Sequence, residues 1–160
     1  MTIQILTTGG TIDKVYFDSS SEYTVGEPTI LEILRTAGST VDVRVDALMR
    51  KDSLDMTPKD RDEVVDHVRA CGVDRVLITH GTDTMVETAR ALMDVEDKTI
   101  VLVGSLSPAR FKASDAEFNI GFALAAVQTL PPGVYLAMNG RIFHPDRVTK
   151  NRVDNRFEPV

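Results

Sequence analysis

At 160 residues, 42% hydrophobic and 26% charged, the chain has the length and composition of one globular domain with a sizeable core. Its net charge of −6, with acids and bases interspersed, argues against non-specific nucleic-acid binding. No apolar run reaches the roughly 20 residues that span a bilayer, and "MTIQILTTGG" has neither the basic start nor the apolar stretch of a signal peptide. The single cysteine, Cys71, excludes an internal disulfide and a cysteine-rich zinc site. It fits a reducing, cytoplasmic setting and reads as a small packed residue at a helix end.

In chain order, residues 3–8 ("IQILTT") predict a short apolar strand. The polar stretch at residues 13–27, with a serine run and Gly26, predicts a long loop of the kind that is functional in compact domains. Pro28 opens a helix with Ile30, Ile33, Leu34 and Ala37 inward, ending near Gly38. Residues 41–48 alternate like a strand. Thr57 and Pro58 open a second helix with Val64, Val68 and Cys71 inward and Gly72 as its stop. Residues 75–80 and 99–104 are β-branched runs, as expected of strands covered on both faces. Between them lies a helix holding Met85, Ala89, Leu92 and Met93. A fourth helix follows Ser114, with Glu117 completing a capping box and Phe118, Phe122 and Ala125 buried. Residues 133–138 form a further strand, and Asn139-Gly140 turns it into a hairpin with residues 141–144. The last ten residues, "NRVDNRFEPV", carry no clear pattern.

This alternation predicts an α/β, three-layer fold with a mostly parallel sheet, helices on both faces and right-handed crossovers. Ligands in such folds bind beyond the carboxyl ends of the strands. "TTGGT", "KDSLDM", "THGTDTM" and "VGSLS" all follow strands and therefore share one edge. Gly9 and Gly10 allow a sharp turn and close approach of a ligand, and Thr11 then offers a hydroxyl. The motif alone fits a turn as well as a site. Thr84 with Glu87 matches a capping box, which leaves Thr82 and Asp83 free for the crevice. An aspartate there can hold an ammonium group, and a threonine can deliver a nucleophile. His80, at a strand end, reads as a packed and hydrogen-bonded histidine. Ser53 and Lys150 are weak signals alone, although a desolvated lysine beside a threonine hydroxyl can serve as its base. His67, His80 and His144 lack metal-ligand spacing, and there is no phosphate loop.

Taken together, "TTGGTID", "EYTVGE", "DSLDM", "HGTDTM" and "RVTKN" resemble the bacterial-type L-asparaginases over nearly the whole chain. The resemblance is to a short form without the family's smaller C-terminal domain, so residues 1–160 are expected to be a single asparaginase-like catalytic domain. It implies that Thr11 is the nucleophile and that Tyr23, on a mobile segment, helps activate it and closes the site. It implies a second catalytic group of Thr82, Asp83 and Lys150. Ser53 would bind the substrate α-carboxylate and Asp83 its α-ammonium, with Gly10, Leu54 and Gly81 also lining the site and N–H groups near Gly10 or Thr82 forming the oxyanion hole. Leu54 stands where the family usually has a glutamine, so ammonium recognition is expected to rest mainly on Asp83, with weaker substrate affinity. The implied activity is conversion of L-asparagine to L-aspartate and ammonia through an acyl-threonine, with no cofactor or metal, in a homodimer or higher homo-oligomer. Glutamine or another small amide as substrate, asparagine or aspartate sensing without turnover, and a fragment of a longer enzyme inactive alone are the competing readings.

Overall fold

The computed structural model describes residues 1–17 and 22–160. The first strand, β1 (Thr2–Gly9), buries Ile3, Ile5 and Leu6 and runs into a single 3-10 turn over Thr11–Asp13. Next come β2 (Lys14–Phe17), β3 (Glu22–Val25), α1 (Ile30–Thr36) and β4 (Asp42–Lys51). A 3-10 turn over Ser53–Asp55 leads to α2 (Pro58–Ala70), β5 (Arg75–Thr79), α3 (Met85–Ala91), β6 (Thr99–Val103) and α4 (Ala116–Thr129). The chain closes with β7 (Gly133–Met138), β8 (Arg141–Phe143), β9 (Val148–Asn151) and β10 (Arg156–Pro159).

Six strands form one sheet in the order β4-β1-β5-β6-β7-β8, parallel except for β8. The central strands are covered on both faces, which is why β6 is buried along its whole length. The edge strand β4 alternates half-buried valines with exposed Asp42, Arg44 and Asp46, charges that discourage pairing with another chain. On one face α1 and α4 lie together, and α2 and α3 lie on the other. The side chains of β5 show the division. Arg75 donates to the carbonyls of Val127 on α4 and Leu130 just beyond it, and His80, just past the strand, meets Thr88 on α3.

That arrangement corrects the expectation of uniform handedness. The crossovers through α3 and α4 step the same way across the sheet, yet their helices lie on opposite faces, so their hands are opposite. Those through α1, α2 and α3 share one hand, which the general rule makes right-handed; the α4 crossover is left-handed. The reason is space. The face opposite α4 beside β7 is filled by α3, the turn at Pro145–Arg147 and β9.

Three local expectations also change. The predicted loop at residues 13–27 contains an antiparallel ribbon, with Val15 opposite Thr24 and Tyr16 opposite Tyr23; its β-branched and aromatic pairs favour strands. The serine run itself, residues 19–21, lies outside the described residues. Helix α4 buries Ala116, Asn119, Ile120, Ala123, Ala126 and Val127, whereas Phe118 is 62% exposed, Phe122 half-buried and Ala125 exposed. Ala116, Ala123 and Ala126 let the helix lie close on the sheet with Ile120 and Val127, and Phe118 is left outside. The tail beyond residue 151 is ordered: β10 pairs with β9, and Phe157 is buried against Phe143. Of the predicted helix faces elsewhere, Ala37 and Met93 are exposed and Cys71 is half-buried, its thiol donating to the Val68 carbonyl.

The capping chemistry divides in the same way. Thr57 forms a capping box with Asp60, whose carboxyl the Lys51 ammonium and the Thr57 N–H hold at about 2. The two capping boxes expected at Thr84 and Ser114 are absent. Thr84 bonds instead to the Ser53 loop, and the Asp115 carboxylate gathers the N–H groups of Leu106 and Ser107 and the Asn119 amide.

Candidate active site

The site is assembled by close backbone packing at the carboxyl edge of β1, β4 and β5. Gly9 and Gly10 have φ of +98° and +89°, a region that L side chains avoid. A Cβ on Gly10 would collide with the backbone of Gly81, and one on Gly81 would lie 2.6 Å from the Ser53 Cβ. Three loops therefore stack glycine on glycine on serine. This stacking brings the residues that follow, Thr11 and Thr82, onto one edge beside Ser53. The Gly10 N–H is spent on the Lys51 carbonyl at 2.9 Å, so of the N–H groups proposed for an oxyanion hole this one is unavailable.

Thr11 is half-buried at the start of its turn. The turn is pinned from both sides. The Ile12 carbonyl accepts the Ala109 N–H at 3.0 Å, and the buried Asp13 carboxylate accepts the Thr29 N–H at 2.8 Å and hydroxyl at 2.9 Å. Burial pushes the Asp13 carboxyl above its usual range, against the opposing Thr29 bonds and the Arg110 charge. Thr11 shares an open depression of about 320 Å³ with Lys14, Tyr23, Pro108 and Phe111. The Tyr23 ring is 52% exposed and sits between Tyr16, 5.2 Å away, and the edge-on ring of Phe111, 5.9 Å away.

Thr82, Asp83 and Lys150 are in direct contact. The Lys150 Nζ donates to Thr82 Oγ1 and to Asp83 Oδ1, both at 2.7 Å. Thr82 is buried and the Lys150 side chain is only 8% exposed, whereas the Asp83 side chain is 32% exposed, so the Lys150–Thr82 contact is shielded and its Asp83 end opens to solvent. Arg152 adds a second cation, its Nε 3.9 Å from Asp83 Oδ1. Lys150 reaches the site from β9, where it stands directly opposite the buried Phe157 of β10.

Ser53 is buried, not solvated as a loop serine ordinarily is. Its Oγ accepts the Thr84 N–H at 3.3 Å and its carbonyl accepts the Thr84 hydroxyl at 2.8 Å. The Leu54 side chain is 59% exposed and offers no polar atom; its N–H is held by the Asp52 side chain at 3.1 Å. His80 is fully buried, with Nδ1 2.7 Å from the Gly81 carbonyl and Nε2 2.8 Å from Thr88 Oγ1. Desolvation depresses its pKa to about 4, so it serves as a neutral strut, as its strand-end position suggested. Among the described residues no three His, Cys, Asp or Glu side chains come together as a metal site would require, and no helix is long and apolar enough to cross a membrane.

Sequence reasoning did not single out Lys14, Asp52 or Phe111. Lys14 follows "TID" and Asp52 opens "DSLDM", and an ion pair between segments so far apart leaves no local trace. Phe111 lies in an irregular stretch with no periodicity to mark it.

Comparison with known proteins accords with this geometry. The family model for the asparaginase N-terminal domain matches residues 2–157. A curated relative described as a probable periplasmic L-asparaginase of Haemophilus influenzae is 33% identical over 159 residues, covering 92% of this chain and 46% of its own. The solved structure of L-asparaginase I from Vibrio cholerae superposes with a TM-score of 0.86 at 28% identity, covering 99% of this chain and 51% of that one. The thermostable L-asparaginase of Thermococcus kodakarensis superposes with a TM-score of 0.84 at 28% identity, covering 100% of this chain and 51% of its own. The chain spans about half the length of the curated relatives it matches.

Proposed function

The chain belongs to the asparaginase family, spanning its N-terminal domain, and from that premise we propose that it hydrolyses L-asparagine to L-aspartate and ammonia through an acyl-threonine intermediate. The observation that carries this reading is the direct contact of Lys150 with Thr82 and Asp83, on the same sheet edge as the Gly10–Thr11 turn. A binding site alone has no use for a lysine packed on a threonine hydroxyl.

In the proposed reaction the Thr11 hydroxyl attacks the side-chain amide carbon, its proton passes to the departing nitrogen, and ammonia leaves an ester on Thr11. Water then attacks that ester, with its proton taken along the Thr82–Lys150 contact, and aspartate leaves as the Thr11 hydroxyl re-forms. The Ser53 hydroxyl donates to the substrate α-carboxylate, and the outer edge of Asp83 accepts its α-ammonium. The Tyr23 ribbon closes over Thr11 and excludes water during acylation.

Ammonia release from L-asparagine, measured beside Thr11→Ala and Thr82→Ala, tests the proposal. Turnover by the parent and a loss of about 10³-fold or more in each variant is the expected result. Turnover that survives in Thr11→Ala defeats the acyl-threonine mechanism, and turnover that survives in Thr82→Ala removes Thr82 from it. A second reading, a glutaminase or other small-amide hydrolase, is favoured by one feature, the exposed and apolar Leu54 beside Ser53. A panel of asparagine, glutamine and simpler amides separates the two. We further propose a homo-oligomer, because the Thr11 depression is open and Tyr23, which lines it, is exposed; light scattering showing only monomer at assay concentration refutes it.

A further inference from the structure

The ribbon that carries Tyr23 is fastened at both stalks to the end of β4. Lys14 Nζ lies 2.7 Å from Asp52 Oδ2, and Arg50 Nη2 lies 2.6 Å from Glu27 Oε1. The polarity is opposite in the two pairs, so neither can form in a swapped arrangement. They are not equivalent in strength. Arg50 and Glu27 are 51% and 69% exposed, and solvent and salt weaken such a pair. Lys14 and Asp52 are 26% and 30% exposed.

Asp52 has two further connections. It accepts the Leu54 N–H at 3.1 Å and so shapes the turn that presents Ser53. Burial would raise its carboxyl, but the Lys14 ammonium, the Leu54 N–H and the Lys150 charge outweigh burial and hold it low. Lys14 for its part follows directly on the Thr11–Asp13 turn and lines the depression shared by Thr11 and Tyr23. One ion pair therefore joins the nucleophile turn and the tyrosine ribbon on one side to the serine loop on the other.

We propose that Lys14 and Asp52 are positioning residues whose ion pair holds the Thr11 turn and the Tyr23 ribbon at a fixed spacing from Ser53, so that a substrate gripped at Ser53 presents its amide to Thr11. The catalytic consequence rests on the hydrolase reading above; the mechanical one does not. Neutralising the pair leaves the fold intact, because the ribbon is also packed: a Cβ on Gly9 would meet Val25 Cγ1 at 2.8 Å and the Lys51 N at 2.7 Å.

The test compares the parent with Lys14→Met, Asp52→Asn, the double variant and Lys14→Arg. Asp52→Asn keeps the oxygen that caps Leu54 while removing the charge. Hydrogen exchange is read at the amides of residues 14–17 and 22–25, and KM and kcat for L-asparagine alongside it. Each neutral variant should speed ribbon exchange about threefold or more with β5 and β6 unchanged. KM should rise about tenfold with a smaller change in kcat, the double variant should be no worse than either single, and Lys14→Arg should stay near the parent. Unchanged ribbon exchange, or single effects that multiply in the double variant, would overturn the proposal. A loosened ribbon with unchanged KM and kcat would overturn the positioning role. If the parent releases no ammonia, the hydrolase reading fails on its own, and the exchange data still decide whether the pair fastens the ribbon.

Discussion

His80 shows how a single buried side chain ties the stability of the site to pH. Its imidazole is fully buried between the Gly81 carbonyl and the Thr88 hydroxyl, and desolvation lowers its pKa from 6.5 to about 4. The folded value lies below the unfolded one, so as pH falls the unfolded chain takes up the proton first. The stabilisation is complete above pH 6.5 and drains away as pH falls towards about 4. A shift of that size corresponds to about 3 kcal/mol across the window. Asp13 works in the other direction, because its raised carboxyl is protonated more readily when folded. The clean measurement is therefore a difference: urea unfolding of the parent and of His80→Gln between pH 4 and 7. The parent should lose stability relative to the variant as pH drops. Parallel curves would mean that the imidazole is not held neutral in the fold.

At the scale of elements, α4 shows what periodicity conveys and where it misleads. The spacing marks a helix correctly, and the size of its hydrophobic residues points to the wrong face. Exposed Phe118 stacks in parallel on half-buried Phe122, 6.3 Å away, while the buried face is made by alanines with Ile120 and Val127. Phe118→Ser should then cost under about 1 kcal/mol, whereas Ala123→Leu, at a site with no room, should cost about 1–3 kcal/mol; thermal unfolding of both variants decides it, and the reverse order would put the phenylalanines back in the core. The central strands are more legible than the helices because strands buried on both faces are continuous β-branched runs that admit one reading. The Thr57–Asp60 cap is legible because both partners lie within four residues. The bonds of Thr84 and Asp115 are not, because their partners are at Ser53 and at Leu106 and Ser107. The same logic applies to the site. Glycine and threonine motifs mark where Thr11 and Thr82 sit, and nothing local reveals the ion pair of Lys14 with Asp52.

Across the whole molecule, the site draws on segments that only the complete topology brings together, and Lys150 is the most remote of them. It stands on a two-stranded satellite outside the main sheet, held down by the partner directly opposite it, Phe157. Phe157 packs against Phe143 at a ring distance of 6.4 Å, and its N–H donates to the Asn139 side chain at 2.9 Å. Two-stranded ribbons are marginal alone, so this satellite depends on that anchor. A core truncation of this size ordinarily costs about 3–5 kcal/mol. Here the loss should fall on the ribbon before it falls on the sheet, because partial unfolding follows the least supported unit. Phe157→Ala is therefore expected to reduce ammonia release by about tenfold or more through displacement of Lys150, while lowering the urea midpoint less than a truncation inside β6 such as Leu102→Ala. Phe157→Leu, which refills part of the space, should recover most of the activity. If Phe157→Ala unfolded the protein as readily as Leu102→Ala, the ribbon would be an integral part of the core. If it left turnover unchanged, the position of Lys150 would be set by Thr82 and Asp83 alone, with β10 contributing nothing to the reaction.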